Sequence, residues 1–338
     1  MKCALCQIND ADKKNTHYLT DSIIRTCLNQ DGSNERETGF YFDITSETPY
    51  IDFNFQRGTS IEKLEESFGR AATEQEIEKA KDIPFSVDYV FCTHCEDIFT
   101  KIETPFIEQI LPKFRSTDLT GINSIELNEN KISKLFFYLQ VWRTAVCEDI
   151  YDLDSVTFES LRNIILDHEN ITNEDIPIVP IHITYLQVVG DEKEYTSNLV
   201  GSTNDIDPNI IFMNDFVIQF FNDNNSINEI EFYGLNDSND FTELINVDNE
   251  KFKIKIIGND KRLEIINQLT RQEKVQKAVS SILEHFIKKW FSIFRGLPNQ
   301  FIIQTYMEYV TGGDSDVLKY TEETIEAKST EFIMNQIK

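Results

Sequence analysis

Apolar positions fall into three regimes along the chain. Residues 176–338 open on Ile176-Pro177-Ile178-Val179-Pro180, a double proline that no helix would keep, and continue with β-branched and aromatic runs at Ile181–Val189, Ile210–Phe221, Ile227–Tyr233 and Phe252–Ile257. Asn, Asp, Gly and Ser separate these runs, so they read as strands of a mainly antiparallel sheet. The period then changes to helical: Ile265, Leu269, Val275, Val279, Ile282, Leu283, Phe286, Trp290 and Phe294 mark one long helix from Lys261 to Phe294, which Gly296 and Pro298 stop. A charged amphipathic segment, Val317–Ile337, reads as a surface helix or a partner-binding tail.

Residues 116–175 are helical in pattern. Ile132, Leu135, Phe136, Leu139, Val141, Trp142 and Val146 form a broad apolar surface, and Phe158, Leu161, Ile164 and Ile165 mark a second helix. Trp142 belongs to the core, and Arg143 beside it reads as a salt-bridge partner of a local carboxylate, with a functional cation as the alternative. Residues 1–115 are more polar. They contain a short strand, Phe40–Ile44, and a helical pattern from Ser60 through Lys81, with Thr59 and Ser60 ahead of Glu62 and Glu65 as a start signal and Leu64, Phe68, Ala71 and Ala72 on one face.

Cysteine changes the picture at the front of the chain. Cys3/Cys6 and Cys92/Cys95 are two Cys-x-x-Cys pairs, each a tight turn that sets both sulfurs on one side. Together they supply the four thiolates of a tetrahedral structural Zn²⁺ site. The alternative is redox chemistry or buried thiols, but a redox pair follows a strand and opens a helix, and no strand precedes Cys3. Cys27 and Cys147 have no such spacing and read as small buried hydrophobes. His94 lies between two of the cysteines and points to solvent, while His168, His182 and His285 have no metal-ligand spacing and read as structural.

The residues downstream of each pair carry a resemblance. Thr16-His17-Tyr18-Leu19 comes after the first, Cys92-Thr93-His94-Cys95-Glu96 with Phe99 and Glu103 forms the second, and Leu139-Gln140-Val141-Trp142-Arg143 lies beyond. Over roughly the first 150 residues this order resembles the treble-clef zinc modules of the HNH (ββα-metal) nuclease superfamily. It is more similar to bacterial proteins in which Cys-x-x-Cys, a Ser-His motif, Cys-x-x-Cys-Glu and a Trp-Arg helix succeed one another. Thr20 departs from that pattern, where Pro is usual, and the insert between the pairs is long. The resemblance implies a metal-dependent endonuclease, a hydrolase of bacterial anti-phage (antiviral) defence acting with a partner. His17 would be the general base, Glu96 and Glu103 would hold Mg²⁺ or Mn²⁺, and Cys3, Cys6, Cys92 and Cys95 would hold zinc. The two glutamates lie seven apart, which on a helix returns to nearly the same face. Glutamate near a helix start also has a plain macrodipole explanation, and His17 a plain structural one.

Charge opposes free nucleic-acid binding. The formal net charge is -26, whereas duplex-binding surfaces are basic because affinity comes largely from neutralised phosphates. Only Lys13, Lys14, Arg25, Arg36 and Arg57 offer a local cationic patch. An inactive, zinc-stabilised interaction or regulatory protein is therefore the competing reading, and a protein partner or homo-oligomer the expected association. With 40% apolar and 12% aromatic content the chain can build a substantial core. It shows no 18-residue apolar run and no signal-peptide core, so a cytoplasmic protein with no membrane partner is expected. The resulting fold class is α+β: an N-terminal treble-clef-like zinc module with an inserted strand and helix (1–115), a helical middle (116–175), and a C-terminal α+β domain with C-terminal helices (176–338).

Overall fold

The computed structural model describes residues 1–25, 40–43, 52–55, 60–81, 83–149, 151–187, 199–202, 208–222, 234–236, 240–312 and 322–337. Cys27, Arg36, Arg57, Thr59 and the run Ile227–Tyr233 lie outside these residues. Two compact units divide the chain, one of Met1–Tyr41 and Phe55–Ile266, the other of Phe42–Asn54 and Asn267–Lys338. The protein is mixed α+β, and no helix among the described residues is long and apolar enough to cross a membrane.

In chain order the first unit begins with β1 (Thr16–His17) and α1 (Asp21–Ile24); two strands that pair with each other, β2 (Phe40–Asp43) and β3 (Asp52–Phe55), follow at the segment assigned to the second unit. The helical pattern over 60–81 is two helices, α2 (Ile61–Phe68) and α3 (Glu74–Lys79). Gly69 takes a φ of +64°, which ends α2, and the capping box belongs to α3: the Thr73 hydroxyl accepts from Glu76 N–H while the Glu76 carboxylate accepts from Thr73 N–H. After β4 (Ser86–Val87), which pairs antiparallel with β1, α4 runs from Thr93 to Pro105. One π-helical stretch at Phe106–Ile110 carries it into α5 (Leu111–Arg115). Pro105 supplies no N–H, and the widened turn after it stacks Phe106 flat on Phe136 with ring centroids 3.8 Å apart.

The middle of the chain is not helical throughout. β5 (Ser124–Leu127) precedes α6 (Asn130–Cys147) and α7 (Ser155–Leu166), and it forms one edge of a six-stranded sheet. The remaining strands are β6 (Ile181–Leu186), β7 (Val200–Ser202), β8 (Asn209–Met213), β9 (Phe216–Phe220) and β10 (Phe252–Ile257), in the order β5-β10-β6-β9-β8-β7. All pairs are antiparallel except β10 with β6, so the sheet is mixed. The apolar run Ile210–Phe221 is a hairpin and not one strand, because Asn214 adopts a φ of +65° between β8 and β9. Asn is one of the few residues that reach this region cheaply.

One face of the sheet carries Ile183, Tyr185, Ile211, Phe216, Ile218, Phe252 and Ile254, all buried in the same core as α4 and α6. Helix α6 is buried on nearly every side from Ser133 to Thr144, as expected of a helix in the middle of a core. Each fully buried Leu, Ile or Phe contributes roughly 1.5–3 kcal/mol. Lys134 is caught in that helix with no exposed surface, its ammonium donating to the Asp248 carbonyl and to Asn249 Oδ1. Burial lowers its pKa to about 8.

Helix α8 (Asn259–Phe294) begins in the first unit, where buried Arg262 donates to the Leu186 carbonyl and to Asn214 Oδ1. The second unit packs the later part of α8 with α9 (Gln300–Thr311) and α10 (Glu322–Ile337) around Phe286, Trp290, Tyr306, Val310, Phe332 and Ile333. Phe286 stacks on Tyr306 at 3.8 Å, and the Tyr306 and Ser329 hydroxyls bond at 2.7 Å. Asn299 caps α9 by accepting from Ile302 N–H, and Gly312 ends it with a φ of +61°.

Candidate metal centre

The first cysteine pair sits on a turn in which Gln7 N–H donates back to the Cys3 carbonyl and Gln7 itself takes a φ of +59°. Cys3 N–H donates to the Asn9 carbonyl and Ala4 N–H to the Val90 carbonyl, which ties this turn to the segment leading into the second pair. Cys92 is the N-cap of α4 and Cys95 lies in its first turn, so the helix presents its positive end to both sulfurs. Asp12 completes the cap, accepting from Thr93 N–H at 2.8 Å.

The four ligand atoms of Cys3, Cys6, Cys92 and Cys95 all lie within 4.8 Å of one another. Cys6 Sγ and Cys92 Sγ are 3.9 Å apart, and sulfurs around a tetrahedral zinc, at Zn–S distances near 2.3 Å, stand about 3.8 Å apart. Donors also converge on the sulfurs: Cys92 N–H on Cys3 Sγ at 3.3 Å, Asn9 N–H on Cys6 Sγ at 3.5 Å and Asn9 Nδ2 on Cys92 Sγ at 3.6 Å. Such outer donors stabilise thiolates and fix their direction. Burial raises the Cys3 thiol, and burial together with the neighbouring sulfurs raises Cys95. At Cys6 burial is outweighed by the Asn9 and Ile8 N–H groups, which bring it down to about 7. Thiols so close cannot all ionise beside one another unaided; a divalent cation removes that conflict. The donor set therefore fits a metal ion.

His17 and the two glutamates are placed differently. His17 stands on β1, about one-fifth exposed, with Nε2 3.6 Å from Asp21 Oδ1. Its carbonyl accepts from Arg143 Nη1 at 3.3 Å. Arg143, buried on α6, also donates to Glu103 Oε1 at 2.5 Å, and Thr20 Oγ1 donates to the same oxygen at 2.7 Å. Gln140 joins this network, its Oε1 accepting from Thr20 N–H and Arg143 Nη2, both at 3.1 Å. Glu103 is thus held by an arginine, while Glu96 pairs with Lys13 at 3.3 Å. The seven-residue spacing places both on α4, yet each has its own cation. Arg143 forms the salt bridge expected of it, Trp142 is fully buried, and His94 is exposed.

Two further cations of the local patch are also engaged, Lys14 over the Tyr89 ring at 5.0 Å and Arg25 with Asp21, while Arg36 and Arg57 lie outside the described residues. His168 Nδ1 lies 3.1 Å from the Ile165 carbonyl, and His285 Nε2 lies 2.5 Å from Glu326. Sequence reasoning passed over Asn9, Asp12 and Asp21. The first two have no periodic signature, because they act through loop geometry; Asp21 could have been found as a carboxylate four residues after His17. Among the described residues, the four cysteines are the only group of three or more ligating side chains gathered closely enough for a metal ion. No protein-family model, no curated protein and no solved structure matches the chain.

Proposed function

We propose that the chain is a zinc-stabilised protein whose N-terminal module is treble-clef-like, with Cys3, Cys6, Cys92 and Cys95 as the zinc ligands. The observation that carries this reading is the meeting of four sulfurs contributed by two turns far apart in sequence, with N–H donors already aimed at them. The order of parts supports the treble-clef form: a cysteine turn, a short strand pair, then a helix whose first turn brings the second cysteines. Zinc would supply the charge that holds the thiolates together, and folding of this segment would be linked to binding. Cobalt replacement tests the ligand set, since a tetrahedral four-thiolate site gives an intense visible spectrum. A spectrum of octahedral, oxygen-ligated cobalt would defeat it.

A second reading keeps the HNH-like nuclease, and one observation favours it: His17 Nε2 faces a carboxylate oxygen of Asp21 on a partly exposed surface. Nε2 can take up a proton beside that carboxylate, which stabilises the cation that forms, whereas Nδ1 is buried away from water and weighs against the reading. Mg²⁺ or Mn²⁺ needs few protein carboxylates when substrate phosphate completes its shell. The Arg143 and Lys13 pairings of Glu103 and Glu96 weigh on the other side, and without them released the chain acts as an interaction or regulatory scaffold. Wild type and His17→Ala are to be compared on single- and double-stranded DNA and RNA with either cation. Cleavage by wild type that His17→Ala lowers by about 10²-fold or more supports the nuclease with His17 as its base; equal cleavage by both removes His17 from the mechanism, and no cleavage by wild type removes the nuclease reading.

A further inference from the structure

Seven consecutive residues, 291–297, are exposed at the junction of α8 and α9, and five large apolar side chains crowd there. Phe291 is 48% exposed, Ile293 44%, Phe294 39%, Leu297 75% and Phe301 75%. The junction is built firmly: Phe294 packs on Trp290 with centroids 4.2 Å apart, and Arg295 N–H donates to the Phe291 carbonyl at 3.0 Å. Arg295 occupies the left-handed position, φ +56°, that usually falls to glycine after a helix end.

Charge and area decide what this surface fits. In a chain of net charge -26, no Asp or Glu occurs between Glu284 and Glu308, while Lys288, Lys289 and Arg295 do. Lys288 is paired with Glu284 and Lys289 with Glu326; Arg295 makes no ion pair among the described residues. The exposed apolar area comes to roughly 500 Å² for side chains of this kind. That is the size of the apolar patches that mark interaction sites, and charge then selects among the partners. A helix-hairpin end carrying Phe, Leu and Ile with an exposed arginine matches the chemistry of interfacial membrane contact: apolar side chains enter the acyl boundary while the cation meets headgroup phosphate.

We propose that the α8–α9 junction docks peripherally on an anionic lipid surface through Phe291, Phe294, Leu297 and Phe301, with Arg295 on the headgroups. This revises the expectation of no membrane partner, which rested on the lack of a spanning segment. The test is flotation of the full chain with phosphatidylcholine vesicles and with 7:3 phosphatidylcholine/phosphatidylserine vesicles at low and high salt. Wild type should float with the anionic vesicles several-fold more than with the neutral ones, and lose most of that at high salt. A Leu297→Asp/Phe301→Asp variant should lose binding about tenfold with an unchanged circular-dichroism spectrum, and Arg295→Glu should remove the lipid selectivity alone. Wild type that stays with the unbound fraction overturns the proposal. So does an acidic double variant that floats equally, or light scattering that shows a dimer which the double variant splits.

Discussion

At the scale of the residue, the N-terminal module depends on side chains that few neighbours can replace. Arg143 is buried and serves Glu103, Gln140 and the His17 carbonyl together, so Arg143→Ala leaves a carboxylate without its cation. The expected loss is about 3 kcal/mol in denaturant unfolding, as for other broken buried pairs, while Glu103→Gln, which keeps the Thr20 bond, should cost less. An unfolding free energy for Arg143→Ala indistinguishable from wild type would show that the network contributes nothing. His182 gives a pH dependence. It is fully buried on the sheet, and burial, with Lys255 nearby, lowers its pKa to about 3. The unfolded chain, with its imidazole near 6.5, then binds a proton that the folded one refuses, so stability falls as pH drops from about 6.5 towards 3. Between pH 7 and 5 wild type should lose about 2 kcal/mol more than His182→Gln, measured by urea unfolding at each pH. Parallel losses would mean that His182 protonates freely in the folded state.

At the scale of the element, one arginine joins pieces far apart in sequence. Arg115, at the end of α5, forms a two-pronged pair with Asp215 in the β8–β9 turn, 2.6 and 2.9 Å, and donates to the carbonyls of Ser22 and Ile23 in α1. Arg115→Ala should destabilise by about 3 kcal/mol and Arg115→Lys by nearly as much, since an ammonium cannot reproduce the fork. Full retention of the thermal midpoint in Arg115→Lys would contradict this. Elements were legible in the sequence where a period ran unbroken: Phe252–Ile257 is a strand as read, and the long helix spans Asn259–Phe294 against an expected Lys261–Phe294. They were misread where one residue's backbone cut a continuous pattern, at Gly69 in the 60–81 helix and at Asn214 in the 210–221 run. β5 escaped notice because Ser124–Leu127 is short and its partner, β10, lies far along the chain. The cysteine cluster was legible because spacing alone sets a turn's sulfurs, whereas the pairing of Glu96 with Lys13 and of Glu103 with Arg143 depends on tertiary packing that no spacing encodes.

At the scale of the whole molecule, charge shapes what the protein can touch. A net charge of -26 should keep the isolated chain off duplex DNA at physiological salt; tight binding in an equilibrium titration there would contradict that. The central claim is that Cys3, Cys6, Cys92 and Cys95 close on one zinc ion and that the N-terminal module folds around it. Its most direct test is the zinc content of the purified chain beside that of Cys92→Ser, with unfolding measured for both. The expected result is one zinc per wild-type chain, little or none in the variant, and a loss of several kcal/mol, on the order of what structural zinc contributes to small domains. Wild-type protein that purifies without zinc, or that holds zinc yet unfolds at the same denaturant concentration as Cys92→Ser, would contradict it.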